Sequence, residues 1–305
     1  MTNKQFYPIG SPGQPWTERE KLLWQQGQTR YRCYKNDVLD VLDTLKHRYE
    51  IVQYGELHYG DDRYPLMAAK SKNWDDNLPV ALITGGVHGY ETSGVMGALD
   101  FLAECRSEYV GKLNLLVAPC VSPWAYERIT RWNYNAVDPN RQFFPQGQAA
   151  ESQALMMFIA PLKGQFAVHV DLHETTDTDE SEFSPALAAR DGLQYEPKNI
   201  PDGFYLVSDA QNSRLDFQRA IISAVAEVTH IAPAEDDGSM LGFPVVSSGV
   251  VEYDNNAYHL CSTMTGAPFT TTTEVYPDSA ETSPEECIRA QVVTVRRAID
   301  FALSN

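Results

Sequence analysis

Leu78-Pro79-Val80-Ala81-Leu82-Ile83-Thr84-Gly85-Gly86-Val87-His88-Gly89-Tyr90-Glu91 is the stretch that decides how the chain reads. Val80 to Thr84 form an apolar run of strand length. Gly85 and Gly86 break it. His88 and Glu91 follow at i and i+3, and Glu91 can open the next helix. A His and a Glu three apart at a strand-to-helix junction can turn toward one point. An imidazole nitrogen and a carboxylate oxygen are ordinary zinc ligands. The spacing alone is weak, so a site requires further parts elsewhere in the chain.

Working outward from this stretch, strands and helices alternate. Upstream, residues 1–16 are Pro- and Gly-rich and read as irregular. Thr17 and Glu20 form a possible capping box. Val38, Val41, Leu42, Leu45 and Tyr49 have helical spacing, which predicts a helix over 37–49. Strands are expected at 51–54 and 66–69, with a turn at Gly60-Asp61-Asp62. Downstream, 92–105 reads as a helix. Leu113 to Ala118 is an almost wholly apolar strand, as a central position covered on both faces requires. The aromatic stretch 124–145 has no clean period and reads as a long, functional loop. A short helix over 151–160 precedes a strand at 166–172, with His173 at its end. A strand at 204–207, a helix at 213–230 and broken strands at 245–253 follow. Phe269 to Val275 is a β-rich run. Ser283, Pro284 and Glu286 start the last helix, with Ile288, Val292, Val295, Ile299 and Leu303 as its apolar stripe. This order predicts one α/β domain with a central mixed, mostly parallel sheet flanked by helices on both faces. His88, Glu91, His173 and Glu274 fall at or near strand ends, where open α/β sheets place their sites.

Composition narrows the function classes. The 305 residues are 43% hydrophobic, enough for a substantial core, and carry a net charge of −17. Such a chain repels nucleic acid and anionic membrane, and has no basic groove for either. Cys33, Cys105, Cys120, Cys261 and Cys287 are scattered, odd in number and without a Cys-x-x-Cys pair, so free thiols are expected. The N-terminus lacks the apolar run of a signal peptide, and no stretch approaches a membrane span. A soluble, cytoplasmic protein is expected; the composition sets no oligomeric state.

Four marks in order carry a resemblance. They are His88-Gly-Tyr-Glu91, Val137-Asp138-Pro139-Asn140-Arg141, Asp171-Leu172-His173 and Phe269-Thr-Thr-Thr-Thr-Glu274-Val275. Over roughly residues 55–300 the chain resembles the zinc metallocarboxypeptidases of the pancreatic type, most of all their short, intracellular bacterial branch. The related succinylglutamate desuccinylase and aspartoacylase group shares several of these marks. The resemblance implies a catalytic domain over 55–305; residues 1–54 match no motif and are expected as an N-terminal extension packed on or beside it, or as an oligomer contact. It implies one zinc ion on His88, Glu91 and His173, and Glu274 as the catalytic carboxylate. It implies an Asn140-Arg141 pair that holds the free carboxylate of a peptide or small amide substrate.

The chemistry agrees with these assignments. Two His and one Glu leave a position for water, the pattern of catalytic zinc. Glu274 would move that water's proton to the leaving amine. The guanidinium of Arg141 fits a planar carboxylate in two-point contact. The family has a further Arg that polarises the substrate carbonyl; Arg131 is preferred here over Arg128. Its mobile Tyr falls on Tyr253 or Tyr258. Asp171 points to the same strand face as His173, as a partner of that imidazole or as a structural acceptor. The usual Asn-Arg-Asn-Phe is Asn140-Arg141-Gln142-Phe143 here. The acidic tract Asp177, Asp179, Glu180 and Glu182 reads as a solvated loop. The expected activity is removal of a C-terminal residue by zinc-dependent hydrolysis. N-acyl-amino-acid hydrolysis and non-catalytic carboxylate binding are the alternatives.

Overall fold

Thr17 caps the first helix, and the Glu20 carboxylate accepts its N–H at 2.9 Å, so the predicted box forms. The computed structural model describes residues 7–305, so the irregular chain expected over 1–16 lies partly outside it. Helix α1 is Glu18–Gly27. The helix expected over 37–49 forms only in part: a π-turn at Lys35–Leu39 runs into α2 (Asp40–Thr44). Val38, Leu42 and Leu45 are buried as the spacing requires. Tyr49 instead starts strand β1 (Tyr49–Tyr59), because pairing with β2 (Asp62–Ser71) begins there, at Tyr49↔Ser71. The Tyr49 hydroxyl also donates to the Leu102 and Cys105 carbonyls. Tertiary pairing overrides local periodicity. Both strands outrun the sequence expectation, since their outer halves alternate with exposed residues at the sheet margin.

Then follow β3 (Val80–Gly85), α3 (Thr92–Glu104), β4 (Asn114–Ala118), α4 (Pro123–Arg128) and α5 (Ala150–Ile159). The central strand β5 (Phe166–Glu174) leads to α6 (Ser184–Arg190), β6 (Tyr205–Asp209) and α7 (Leu215–Val225). The chain closes with β7 (Ser239–Met240), β8 (Phe243–Ser247), β9 (Val250–Tyr253), β10 (Phe269–Val275) and α8 (Pro284–Ser304). The expected loop at 124–145 is loop apart from α4 and a 3₁₀ turn at Pro139–Arg141.

All ten strands join one mixed sheet, ordered β1-β2-β4-β3-β5-β10-β6-β9-β8-β7. Its middle, β4-β3-β5-β10, is parallel, and both margins carry antiparallel pairs. Alternate residues of β3 serve two cores. Ala81 and Ile83 pack with residues of α3 and α8 such as Val95, Leu99, Val295 and Ile299. Val80 and Leu82 pack on the other face with Leu155 and Ile159 of α5. Helices therefore cover both faces, as the apolar runs of β3 and β4 predict.

The position expected as a domain boundary, between residues 54 and 55, falls inside β1. Trp16, Trp24, Tyr34 and Leu42 share one core cluster with β3, α3 and α8, so the described residues before 55 pack on the sheet domain. Among the described residues no helix is long and apolar enough to cross a membrane. All five cysteines are free.

Candidate metal centre

The chain leaves β3 toward β4 on one side and returns past it to β5 on the other. Such a reversal opens a crevice at the carboxyl ends of the strands. Gly86, at φ +59°, makes the turn out of β3. The helix that follows sits unusually close to the sheet: a Cβ added at Gly94 would lie 2.5 Å from the Leu172 carbonyl oxygen of β5. That approach brings the start of α3 to the end of β5.

Glu91 is the N-cap of α3, yet its side chain makes no capping bond. Glu174 caps in its place. Its two carboxylate oxygens accept the Thr92 and Ser93 N–H groups at 2.7 and 2.8 Å. Glu91 is thereby free to face two imidazoles. Its Oε1 lies 2.7 Å from His88 Nδ1, and its Oε2 lies 2.9 Å from His173 Nδ1. All three residues are at most 2% exposed. Their ligand atoms lie within 4.8 Å of one another, which is close enough to hold one metal ion.

The far nitrogens fix the tautomers. His88 Nε2 is 3.0 Å from Asp138 Oδ1, and His173 Nε2 is 2.8 Å from Asp171 Oδ2. An ionised carboxylate only accepts, so each Nε2 carries its hydrogen and each Nδ1 offers a lone pair toward Glu91. Acceptors then face acceptors, and Glu91 Oε2 is buried without an aligned hydrogen bond. Positive charge between them resolves the conflict. The His173 imidazole shows the same demand: burial pushes it down, but Glu91 and Asp171 together push it well above its ordinary value. Burial likewise raises Glu91 and Asp138. The two imidazoles outweigh it at Glu91, and Arg131 with His88 outweighs it at Asp138, so both carboxyls stay below their ordinary values. This donor set fits a divalent cation.

Glu274 stands beside His173 in the parallel register of β5 and β10. Thr175 Oγ1 donates to it at 3.0 Å. Burial pushes its carboxyl up to about 8, with His173 opposing and Glu91 and Asp179 adding. Arg131 also reaches the site: its Nε donates to Asp138 Oδ2 at 3.1 Å, and its Nη1 reaches Tyr90 and Asp179. Arg128 faces elsewhere, stacking on Trp124 and bonding Tyr64 and Asp62.

Asn140 points its Nδ2 toward His173 Nε2, 3.4 Å away, while its Oδ1 accepts the Cys261 N–H at 2.8 Å. Arg141 donates to the Asn140 carbonyl and lies over the Tyr258 ring, 5.7 Å from its centre. Tyr253 meets Tyr258 edge-on. Burial pushes the Tyr253 phenol up to about 12, with Glu274 adding and Arg141 and Arg131 opposing. Tyr253 is part-buried at the end of β9, and Tyr258 is exposed on the loop beyond it.

Sequence reasoning missed several participants. Asp138 sits inside a quoted motif, two residues before Asn140, but received no role. The acidic tract is not uniformly solvated: Asp179 turns inward to accept the Tyr90 hydroxyl at 2.9 Å. Glu182 and Glu180 accept tyrosine hydroxyls, from Tyr7 and Tyr195. Nothing in the spacing separates Asp179 from its neighbours. Glu174, next to His173, could have been suspected only by foreseeing that Glu91 would not cap its own helix.

Comparison with solved structures agrees on the fold. The chain is similar to a candidate metallopeptidase from Shewanella amazonensis, at 19% identity over 90% of this chain and 98% of that one, with a TM-score of 0.66. A second candidate metallopeptidase, from Shewanella baltica, is also 19% identical, over 96% and 99% of the two chains, with a TM-score of 0.64. Carboxypeptidase A from Helicoverpa armigera is 13% identical over 96% and 75%, with a TM-score of 0.57. The chain thus has a carboxypeptidase-like fold. No protein-family model and no curated protein matches its sequence.

Proposed function

We propose that the protein is a zinc-dependent hydrolase that removes the C-terminal residue of a peptide or small amide. One observation carries this reading. Both Nδ1 atoms turn on the two oxygens of Glu91, while both Nε2 atoms are tied to carboxylates. His88, Glu91 and His173 would hold the ion. Zinc bound there lowers the pKa of a water and polarises the scissile carbonyl. Glu274 accepts the attacking water's proton and returns it to the leaving nitrogen. It has Thr175 as a hydrogen-bond donor, and no ion pair fixes it among the described residues. Arg131 Nη2, unlike its Nε and Nη1, makes no hydrogen bond among the described residues and supports a role at the substrate carbonyl. Arg141 pairs with no carboxylate among the described residues, which suits an anchor for a free carboxylate, with Asn140 Nδ2 as a second donor. Tyr253 and Tyr258 flank that anchor. Residues 55–305 form the catalytic unit, and the earlier chain supports it. Five free thiols suit a reducing, cytoplasmic compartment.

The test is a hydrolysis screen over free peptides, C-terminally amidated peptides and N-acyl amino acids, before and after zinc removal. Zinc-dependent cleavage of free peptides is expected, with Arg141→Ala weakening it roughly 10–100-fold through KM and leaving amidated substrates unaffected. Selective cleavage of N-acyl amino acids would contradict the peptidase assignment. Equal losses on amidated peptides would contradict the role of Arg141.

A further inference from the structure

Strand β5 carries a polar row on one face, His169, Asp171 and His173, at every second residue. His173 belongs to the metal centre. His169 and Asp171 lie deeper and are wholly buried. The β3–β5 register places Thr84 beside Asp171.

The Thr84 hydroxyl is where this row meets its neighbours. Its Oγ1 lies 2.5 Å from Asp171 Oδ1, 3.0 Å from His169 Nε2 and 3.6 Å from Cys261 Sγ. A hydroxyl has one hydrogen and two lone pairs. The carboxylate can only accept, so the hydrogen goes to Asp171, and the lone pairs take His169 N–H and the Cys261 thiol. The other oxygen of Asp171 accepts from His173 Nε2. Both oxygens of a fully buried carboxylate are thus held by donors. His169, Asp171 and Cys261 also lie close enough together to hold an ion of their own. Thr84 Oγ1, however, stands within bonding distance of all three and gives each a partner, which makes the group a hydrogen-bonded hub. Cys261 connects the hub to the other side of the site, because its N–H holds the Asn140 amide.

We propose that Thr84 is a positioning residue of the metal centre. It orients Asp171, and Asp171 in turn fixes the ring and tautomer of His173. The inference rests on the metal reading above and extends it one layer into the sheet. Partners of this kind typically change metal affinity by about 10–100-fold when removed.

Thr84→Val keeps the side-chain shape and deletes the hydroxyl, leaving Asp171 Oδ1 without its donor. Thr84→Ser restores the donor. Zinc affinity is measured by competition with a chromophoric chelator, alongside thermal unfolding of the zinc-free proteins. Thr84→Val is expected to bind zinc about 10–100-fold more weakly, and Thr84→Ser to bind like wild type. A role confined to packing would lower the zinc-free melting temperature and leave affinity unchanged, and that result overturns the proposal. If Thr84→Val does not fold, Asp171→Asn replaces it, with the same expected loss and the same overturning result. Wild type that binds zinc while the variant binds equally well removes this proposal alone. Wild type that binds no zinc removes the metal reading, and this proposal with it.

Discussion

Glu274 is the proposed base, on which turnover would depend. Burial pushes its carboxyl up to about 8, whereas an unfolded Glu titrates near about 4.3. In the zinc-free protein the folded state therefore binds more protons than the unfolded state between those values. Stability contributed at acid pH is lost as pH rises through about 8. Glu274→Gln lacks this titration. The zinc-free melting temperature of wild type, relative to Glu274→Gln, is expected to fall across that window and level off above it. A difference independent of pH would contradict this upward shift. With zinc restored, Glu274→Gln should keep its metal and lose roughly 10²–10⁴ in kcat; full activity would eliminate the proposed base. At this scale much was legible. His88, Glu91, His173 and Glu274 stand at strand ends in the sequence, and the fold brings them together. Arg131 bonds Asp138 beside His88, whereas Arg128 bonds Tyr64 away from it. Thr84, Glu174 and Asp179 were not legible, because their partners are set by strand register and by a helix cap supplied from another strand.

At the scale of elements, the contact between α3 and β5 sets the distance from Glu91 to His173. Gly94 makes that contact possible, with room for no Cβ between its own backbone and the Leu172 carbonyl. Gly94→Ala is expected to cost about 1–3 kcal/mol in denaturant unfolding and to weaken zinc binding. An unchanged midpoint would mean that the helix is free to shift. The sequence reading expects a helix over 92–105, and the glycines at 94 and 97 within it permit close approach. Its error at 37–49 has the opposite cause. A helical pattern of apolar residues is real there, but β2 claims Tyr49 for pairing, and local periodicity cannot register a partner some twenty residues away. The short strands expected at 51–54 and 66–69 were underestimated for the same reason: a marginal hairpin buries only part of each strand.

Across the whole molecule, one sheet and the cores packed on its two faces support the site, and the described residues before β1 are part of that support. Trp16 packs edge-on against Trp132, and its backbone N–H donates to the Arg190 carbonyl at 2.8 Å. Arg190 in turn lies over the Trp132 ring, and the segment leading into α6 carries Asp179 and Phe183, both against Tyr90. Trp16→Ala is therefore expected to cost roughly 3 kcal/mol and to expose the 179–192 segment to limited proteolysis. Wild-type stability in this variant would make the early chain a separate tail. Fold class was legible from the alternation of apolar runs and amphipathic helices. The way the early chain joins the sheet was not, since aromatic packing between distant segments leaves no period in the sequence. The central claim is that His88, Glu91 and His173 hold one ion. Elemental analysis of the purified chain, set beside His173→Ala with its fold checked by circular dichroism, tests it most directly. One zinc per wild-type chain, lost in the folded variant, is the predicted result; a wild type that retains no zinc when supplied with it, or a variant that keeps full occupancy, would contradict it.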